Sequence, residues 1–374
     1  MVTQLITFSF YGNTKNVWLS PHLLTRSLLA QKILLSIRKK WMGSFEIGTE
    51  IGADKDYVMD ELSWLSKNAL VKKTNKNQWI ADIIILDREE KEALVDLAKQ
   101  LSQEEALKIK GELPKLKATF EKCSFQGQGF SWAQMNYIIL AALIVDLGVN
   151  YSLHRKGIVP PPPKRPDGGK WYFWGLEGGA NSKRQFGVNS NSIKGGGTAH
   201  IWSWLVKKPA TSPFEDDEIA LMLALANRSL KVSEIAEVTH LSLEIVEQKM
   251  KKISTHGYFA EIKGTFKPNF PIFTRKDIEI MIAEIIRISD SIVDNILKPK
   301  ETVFQQLFEK MELTKLNREY GAYLCMLYHM IMDHVLDKLV ENHILPEMPE
   351  KAPVTWGFWG WIRELKLFEK LASP

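Results

Sequence analysis

One pattern occurs twice in this chain at a constant offset, and nothing else in the sequence limits the fold as much. From Leu28, "LLAQKILLSI" has apolar residues at helical spacing, "FEIGTEIG" reads as a second short helix and "ADKDYVMDELSWLSKN" as a third. "ALVKK" and "QWIADIIIL" are then two strands around a tip at Thr74 to Asn77. Downstream the plan returns as "DEIALMLALANRSL", "VSEIAEVTH" and "LSLEIVEQKMKKISTHGYFAEIKGTF". Val58 meets Val246 (246 − 58 = 188), Glu46-Ile47 meets Glu234-Ile235, and Leu62, Leu65 and Leu70 meet Met250, Ile253 and Tyr258. Identities are few, so the matched apolar pattern carries the comparison.

Two later matches extend it. Phe120-Glu121-Lys122 stands opposite Phe308-Glu309-Lys310 at the same offset, and a shared Trp-x-Phe-Trp-Gly recurs at Trp171 and Trp356 with a slight drift (356 − 171 = 185). The period is far longer than a solenoid repeat, so the pattern predicts two copies of one domain. Two such copies can pair about an approximate two-fold axis, as the protomers of a homodimer do. The break between them is expected in the Gly, Asn and Ser-rich stretch from Gly178 to Gly197. The expected fold class is mainly α with small β-hairpins (α+β), which a 374-residue chain with 45% apolar and 25% charged residues can support.

Three helices and a hairpin in so short a stretch resemble the winged helix-turn-helix superfamily of prokaryotic transcription regulators. The resemblance rests on Glu-Ile-Gly or Glu-Ile-Ala, on Asp54 or Ser242 as cap of the next helix, on its apolar spacing, and on "ALV" or "GYF" before the wing. It divides the chain into a lead segment (1–27), a first winged helix domain (28–86), a helical domain (87–150), a Pro/Gly/aromatic hairpin region and linker (151–213), a second winged helix domain (214–273), a second helical domain (274–345) and a C-terminal aromatic segment (346–374). In DNA-binding members the third helix enters the major groove and basic wing residues touch the backbone. The resemblance thereby implies double-stranded DNA as partner. Its contacts would be Lys55, Tyr57, Lys72, Lys73 and Lys76 in the first copy, and Ser242, Lys249, Lys252, Lys263 and Lys267 in the second. The reading helices depart from a DNA-binding set, since Asp54, Asp56, Asp60, Glu244 and Glu247 repel phosphate. A protein-binding adaptor is therefore the alternative, and a tandem winged-helix replication initiator a further one.

A regulator needs an input. "KRPDGGKWYFWGLEGG" predicts a tight hairpin whose aromatic residues alternate across two faces, one pair looking outward. Those residues either pack onto neighbouring helices or wall a pocket for a small aromatic or cationic ligand, formed by Trp171, Trp174, Trp356 and Trp359 and oriented by Arg165 or Glu177. "PPPPKRP" stiffens the approach to this hairpin.

Enzymatic signals are nearly absent. "KGGGTAH" lacks Walker spacing, and no nucleophile triad can be assigned from spacing. Cys325, His329 and Asp333 share one helix face, where a core Cys and a hydrogen-bonded His are commoner than a metal site. No catalytic residue, metal or cofactor is expected. The first residues, "MVTQLITFSFYGN", lack a secretory pattern, and two cysteines are too few for a disulfide framework, so the expected location is the cytoplasm. "WAQMNYIILAALIVDLGV" reads as a buried core helix and not as a membrane span. The net charge of +5 permits anionic partners without requiring them.

Overall fold

The computed structural model describes residues 5–15, 20–178, 188–193, 197–202, 215–225, 228–255, 257–347 and 357–362. It is mainly helical with small sheets. Strand β1 (Ile6–Asn13) and helix α1 (Pro21–Leu24) precede α2 (Leu28–Ser36), whose first turn is closed by the Ser27 hydroxyl accepting from the Ala30 N–H at 2.9 Å. There follow β2 (Met42–Gly43), α3 (Ser44–Ile51), α4 (Lys55–Lys67), β3 (Val71–Lys73), β4 (Gln78–Ala81) and β5 (Ile84–Leu86). Helix α5 (Arg88–Phe120) runs 33 residues through the exposed Pro114, whose missing N–H forfeits one ladder bond. A second continuous helical stretch joins α6 (Trp132–Asn136), a π-helix at Tyr137–Gly148 and α7 (Val149–Arg155).

Strand β6 (Lys170–Glu177) comes next, then β7 (Val188–Ile193) and β8 (Gly197–Trp202). The chain continues as α8 (Asp216–Ala224), α9 (Val232–Thr239), α10 (Leu243–Thr255), β9 (Phe259–Ile262), β10 (Thr265–Pro268), β11 (Ile272–Phe273), α11 (Arg275–Ile292), α12 (Glu301–Lys310), α13 (Tyr320–Glu341) and β12 (Phe358–Ile362).

The bounds of α2, α3 and α4 reappear, at the offset that aligns Val58 with Val246, as those of α8, α9 and α10. Their ends are built alike. Glu46 accepts from the Gly43 N–H at 2.6 Å, and Glu234 from the Lys231 N–H at 2.7 Å, each closing the start of its helix. Gly52 and His240 end these helices in the left-handed region, at φ 68° and 58°. Buried Val58, Leu62 and Leu65 on α4 correspond to buried Val246, Met250 and Ile253 on α10, each at the spacing of one helix face. Each such burial stabilises by about 1.5–3 kcal/mol.

The sheets also correspond. In one, β1 pairs antiparallel with β6, and β6 pairs parallel with β5; in the other, β8 pairs antiparallel with β12, and β12 pairs parallel with β11, with β7 added at the β8 edge. β6 and β12 are thus central strands, hydrogen-bonded along both edges. The hairpin expected within 164–179 is instead a turn with a single Lys164–Lys170 bridge, and its second strand pairs with β1 and β5. Trp171 to Trp174 are all buried, and no pair looks outward. Phe173 stacks on Phe8 at 5.0 Å, while Trp174 meets His329 edge-on at 4.9 Å.

Two compact units divide the molecule, each assembled from three separate stretches. The first comprises Met1–Ser102, Lys156–Lys183 and Leu297–His334, the second Gln103–Arg155, Arg184–Ile296 and Val335–Pro374. Inside the first, Arg318 of the late stretch donates to the Arg38 carbonyl at 3.2 Å and lies 3.9 Å from Asp82. Inside the second, the Asp277 carboxylate accepts from the Ser124 N–H and hydroxyl, both at 2.7 Å, and Gln128 exchanges two hydrogen bonds with the Ile272 backbone. Trp132–Arg155 is long and apolar enough to cross a membrane by length and composition, yet 78% of its most apolar window is buried in the protein.

Candidate functional site

In the first unit α4 and the β3–β4 hairpin present one set of exposed groups. Asp54 caps α4 by accepting from the Asp56 N–H at 2.8 Å, which places Lys55 and Tyr57 on the exposed first turn. Tyr57 is 70% exposed, and Phe45, at the start of α3, is 71% exposed. On the hairpin the Thr74 hydroxyl accepts from the Lys76 and Gln78 N–H groups, fixing a tight tip that holds Lys76 in solvent. The Lys72 ammonium lies 2.6 Å from Asp82, and Lys73 sits over the Trp79 ring, 5.0 Å from its centroid. Lys55, Lys73 and Lys76 enter no ion pair among the described residues.

The corresponding surface of the second unit is arranged differently. Ser242 accepts from the Ile245 N–H at 3.3 Å, so its hydroxyl serves the helix start. Lys249, its side chain only 15% exposed, donates to Glu215 at 2.5 Å with Asp217 at 3.8 Å, and Lys252 pairs with Glu218 at 2.6 Å. Its hydrogen bond to Glu215 raises the Lys249 pKa, and the same bond lowers that of Glu215. Lys263 is exposed on the β9–β10 turn, whereas half-buried Lys267 leans over Gly129. Around these groups α10 exposes Leu243 (53%) and Ile245, flanked by Glu244 and Glu247.

The expected ligand walls lie in the interior of their units. Trp171 and Trp174 are buried in the first unit, Trp359 is buried in the second, and Trp356 lies outside the described residues. The Trp171 indole N–H donates to Asp167 at 3.0 Å. Arg165, its side chain 9% exposed, stacks over Trp171 at 4.8 Å, donates to the Trp171 carbonyl at 3.0 Å and pairs with Glu319 at 2.9 Å. Glu177 offers its backbone carbonyl to the Lys91 ammonium at 3.0 Å. The Tyr172 hydroxyl donates to the Pro160 carbonyl at 3.1 Å, fastening the proline run to this sheet.

His329 shows what the Cys325, His329, Asp333 face does in the fold. Its Nδ1 lies 2.7 Å from the Cys325 carbonyl one turn back, and burial pushes its pKa down to about 4, so the ring is neutral near pH 7. Burial also drives the Cys325 thiol well above its ordinary range, which makes it a poor nucleophile.

The exposed ring of Phe45 and the aliphatic first turn of α10 were absent from the sequence-derived contact set. Their signal was readable, because apolar residues stand there at positions that the helical period turns away from the core. Comparison of the chain with protein-family models, curated proteins and solved structures gives no match.

Proposed function

We propose that the chain carries two copies of a winged helix unit and is a transcription regulator that grips duplex DNA through the copy in the first unit. The duplication is supported by the three helices that recur at one offset with similar caps. A single observation carries the DNA reading: Lys55, Lys73 and Lys76 are exposed on α4 and its hairpin and enter no ion pair among the described residues. Phosphate neutralisation supplies most non-specific affinity, and these cations are placed as a reading helix and wing would place them. Asp56 and Asp60 oppose it on the same helix, so affinity at physiological salt should be modest without a matching sequence. The test is a mobility shift against a pool of random duplexes at low and moderate salt. No retardation at low salt would refute the reading.

The second copy suits a different partner. Its α10 exposes Leu243 and Ile245 between Glu244 and Glu247, while Lys249 and Lys252 are held by carboxylates of its own unit. Aliphatic side chains ringed by acids favour a protein surface over phosphate. This supports the adaptor reading for that copy. Leu243→Asp in the full-length protein should then abolish partner capture while DNA retardation persists.

A further inference from the structure

A shallow, largely open cavity of about 520 Å³ lies on the second unit where α5 ends and the chain turns into α6. Its walls include the buried rings of Phe120 and Phe130 and the half-buried Trp132, with Phe120 meeting Trp132 edge-on at 5.6 Å. Lys117, Glu121 and Gln134 supply polar groups at its rim. Gly129 also lines it, at φ +90°, and the Lys267 ammonium comes within 3.1 Å of where a β-carbon on that glycine would sit. A larger residue at 129 would be strained and would push this cation away.

Neither the Lys117 nor the Lys267 ammonium enters an ion pair or hydrogen bond among the described residues. The neighbouring cations of the same unit are paired, Lys108 with Glu112 and Lys115 with Glu284. The corresponding turn of the first unit is built from charges. There Arg318 lies 3.9 Å from Asp82, whereas at the repeat offset both positions of the second unit carry rings, Phe130 and Phe270. The turn of the second unit therefore has aromatic side chains where the first has an ion pair, and Lys117 and Lys267 stand beside them.

We propose that this cavity binds a planar aromatic acid. Its ring lies against Phe120, Phe130 and Trp132, and its carboxylate is held by Lys117 of the lining, with Lys267, beside Gly129 and outside that lining, adding positive charge. The volume suits a one- or two-ring molecule, and an apolar wall with a few placed polar groups is the usual make-up of such a site. Lys267 belongs to β10, so occupancy ties the α5–α6 turn to the β9–β10 hairpin and restrains it. That consequence for the hairpin gives the winged helix reading an input, but the binding itself does not depend on that reading.

The test uses the full-length protein without DNA and 2-naphthoate as probe, with 2-naphthylmethanol and 2-naphthylmethylamine as neutral and cationic counterparts. Calorimetry should give one saturable site for the acid, with at least tenfold weaker binding of both counterparts. Lys117→Ala and Lys267→Ala should each weaken the acid about tenfold and leave the neutral alcohol unchanged. Amide hydrogen exchange in residues 259–268 should slow on binding. Absence of saturable binding, equal affinity for the three probes, or an affinity indifferent to both lysine changes would overturn the proposal. Because no DNA is present, any of these results would leave the regulator reading standing.

Discussion

Lys249 donates to Glu215 across 2.5 Å, and in the first unit the equivalent positions hold Glu61 and Ser27, joined by a 3.0 Å hydrogen bond from the Ser27 hydroxyl. One link between the first and third helices is thus made in both units with unrelated chemistry. In the second unit it consumes a cation that a DNA-reading helix would need.

The salt dependence of DNA affinity should separate the two units. Each phosphate contact contributes about 0.9 to the slope of log K against log salt. Joint replacement of Lys73 and Lys76 by alanine should flatten that slope by about 2, whereas Lys249→Ala with Lys252→Ala should leave it unchanged. An equal effect of both pairs would argue against a DNA contact confined to the first unit.

Glu105 lies on the buried face of α5 with neither carboxyl oxygen hydrogen-bonded, and burial, reinforced by Glu104, pushes its pKa up to about 8. The folded protein keeps a proton that the unfolded chain releases near 4.5. The stability tied to this proton is complete below that value and is lost as pH rises through about 8. Glu105→Gln should therefore raise the urea midpoint at pH 9 by the equivalent of about 3–5 kcal/mol and change it little at pH 4.5.

His329 has the opposite sign. Its folded pKa is lowered to about 4 from an ordinary 6.5, so its contribution is present above 6.5 and disappears as pH falls through about 4. His329→Phe should make the acid limb of a stability profile between pH 7 and pH 4 shallower. A limb of unchanged steepness would mean that other groups control acid unfolding.

Gly148 closes the π-helix against α11. A β-carbon there would lie 2.3 Å from the Ser289 hydroxyl and 2.7 Å from the Leu143 carbonyl. Gly148→Ala should cost about 1–3 kcal/mol in thermal or urea unfolding, the range of an overpacked core. Ser289→Gly should rescue only part of this, because the backbone carbonyl cannot withdraw as a side chain can.

The sequence made the short-range order legible and the long-range pairing illegible. Helices α2 to α4 and α8 to α10 follow apolar periodicity at Val58, Leu62, Leu65 and their counterparts, which needs only neighbouring residues to be read. Strand β1 was hidden in the lead segment because its partner, β6, pairs Ile6 with Glu177 across most of the first half, leaving no turn residue to announce it. The alternation from Trp171 to Trp174 suggested an outward aromatic pair, but β5 and β1 flank that strand and both of its faces are covered. Helix α5 passes Pro114, a residue that ordinarily marks a break. At the candidate site, residue types and helix faces were readable. The carboxylates that hold Lys249 and Lys252 were not, because they lie a full helix away in sequence.

The interleaved membership of the two units sets a schedule for synthesis. A ribosome that has delivered residues 1–183 has supplied only part of the first unit, because Leu297–His334 is still untranslated. Domains usually fold as they emerge, N-terminal first. Here the early portion must wait, its Arg38 carbonyl without Arg318 and its Trp174 without His329, until the stretch ending at His334 has been made. A premature stop before Leu297 would deprive the first unit of its closing piece as well as shortening the second, so a chain ending there should yield no folded first unit.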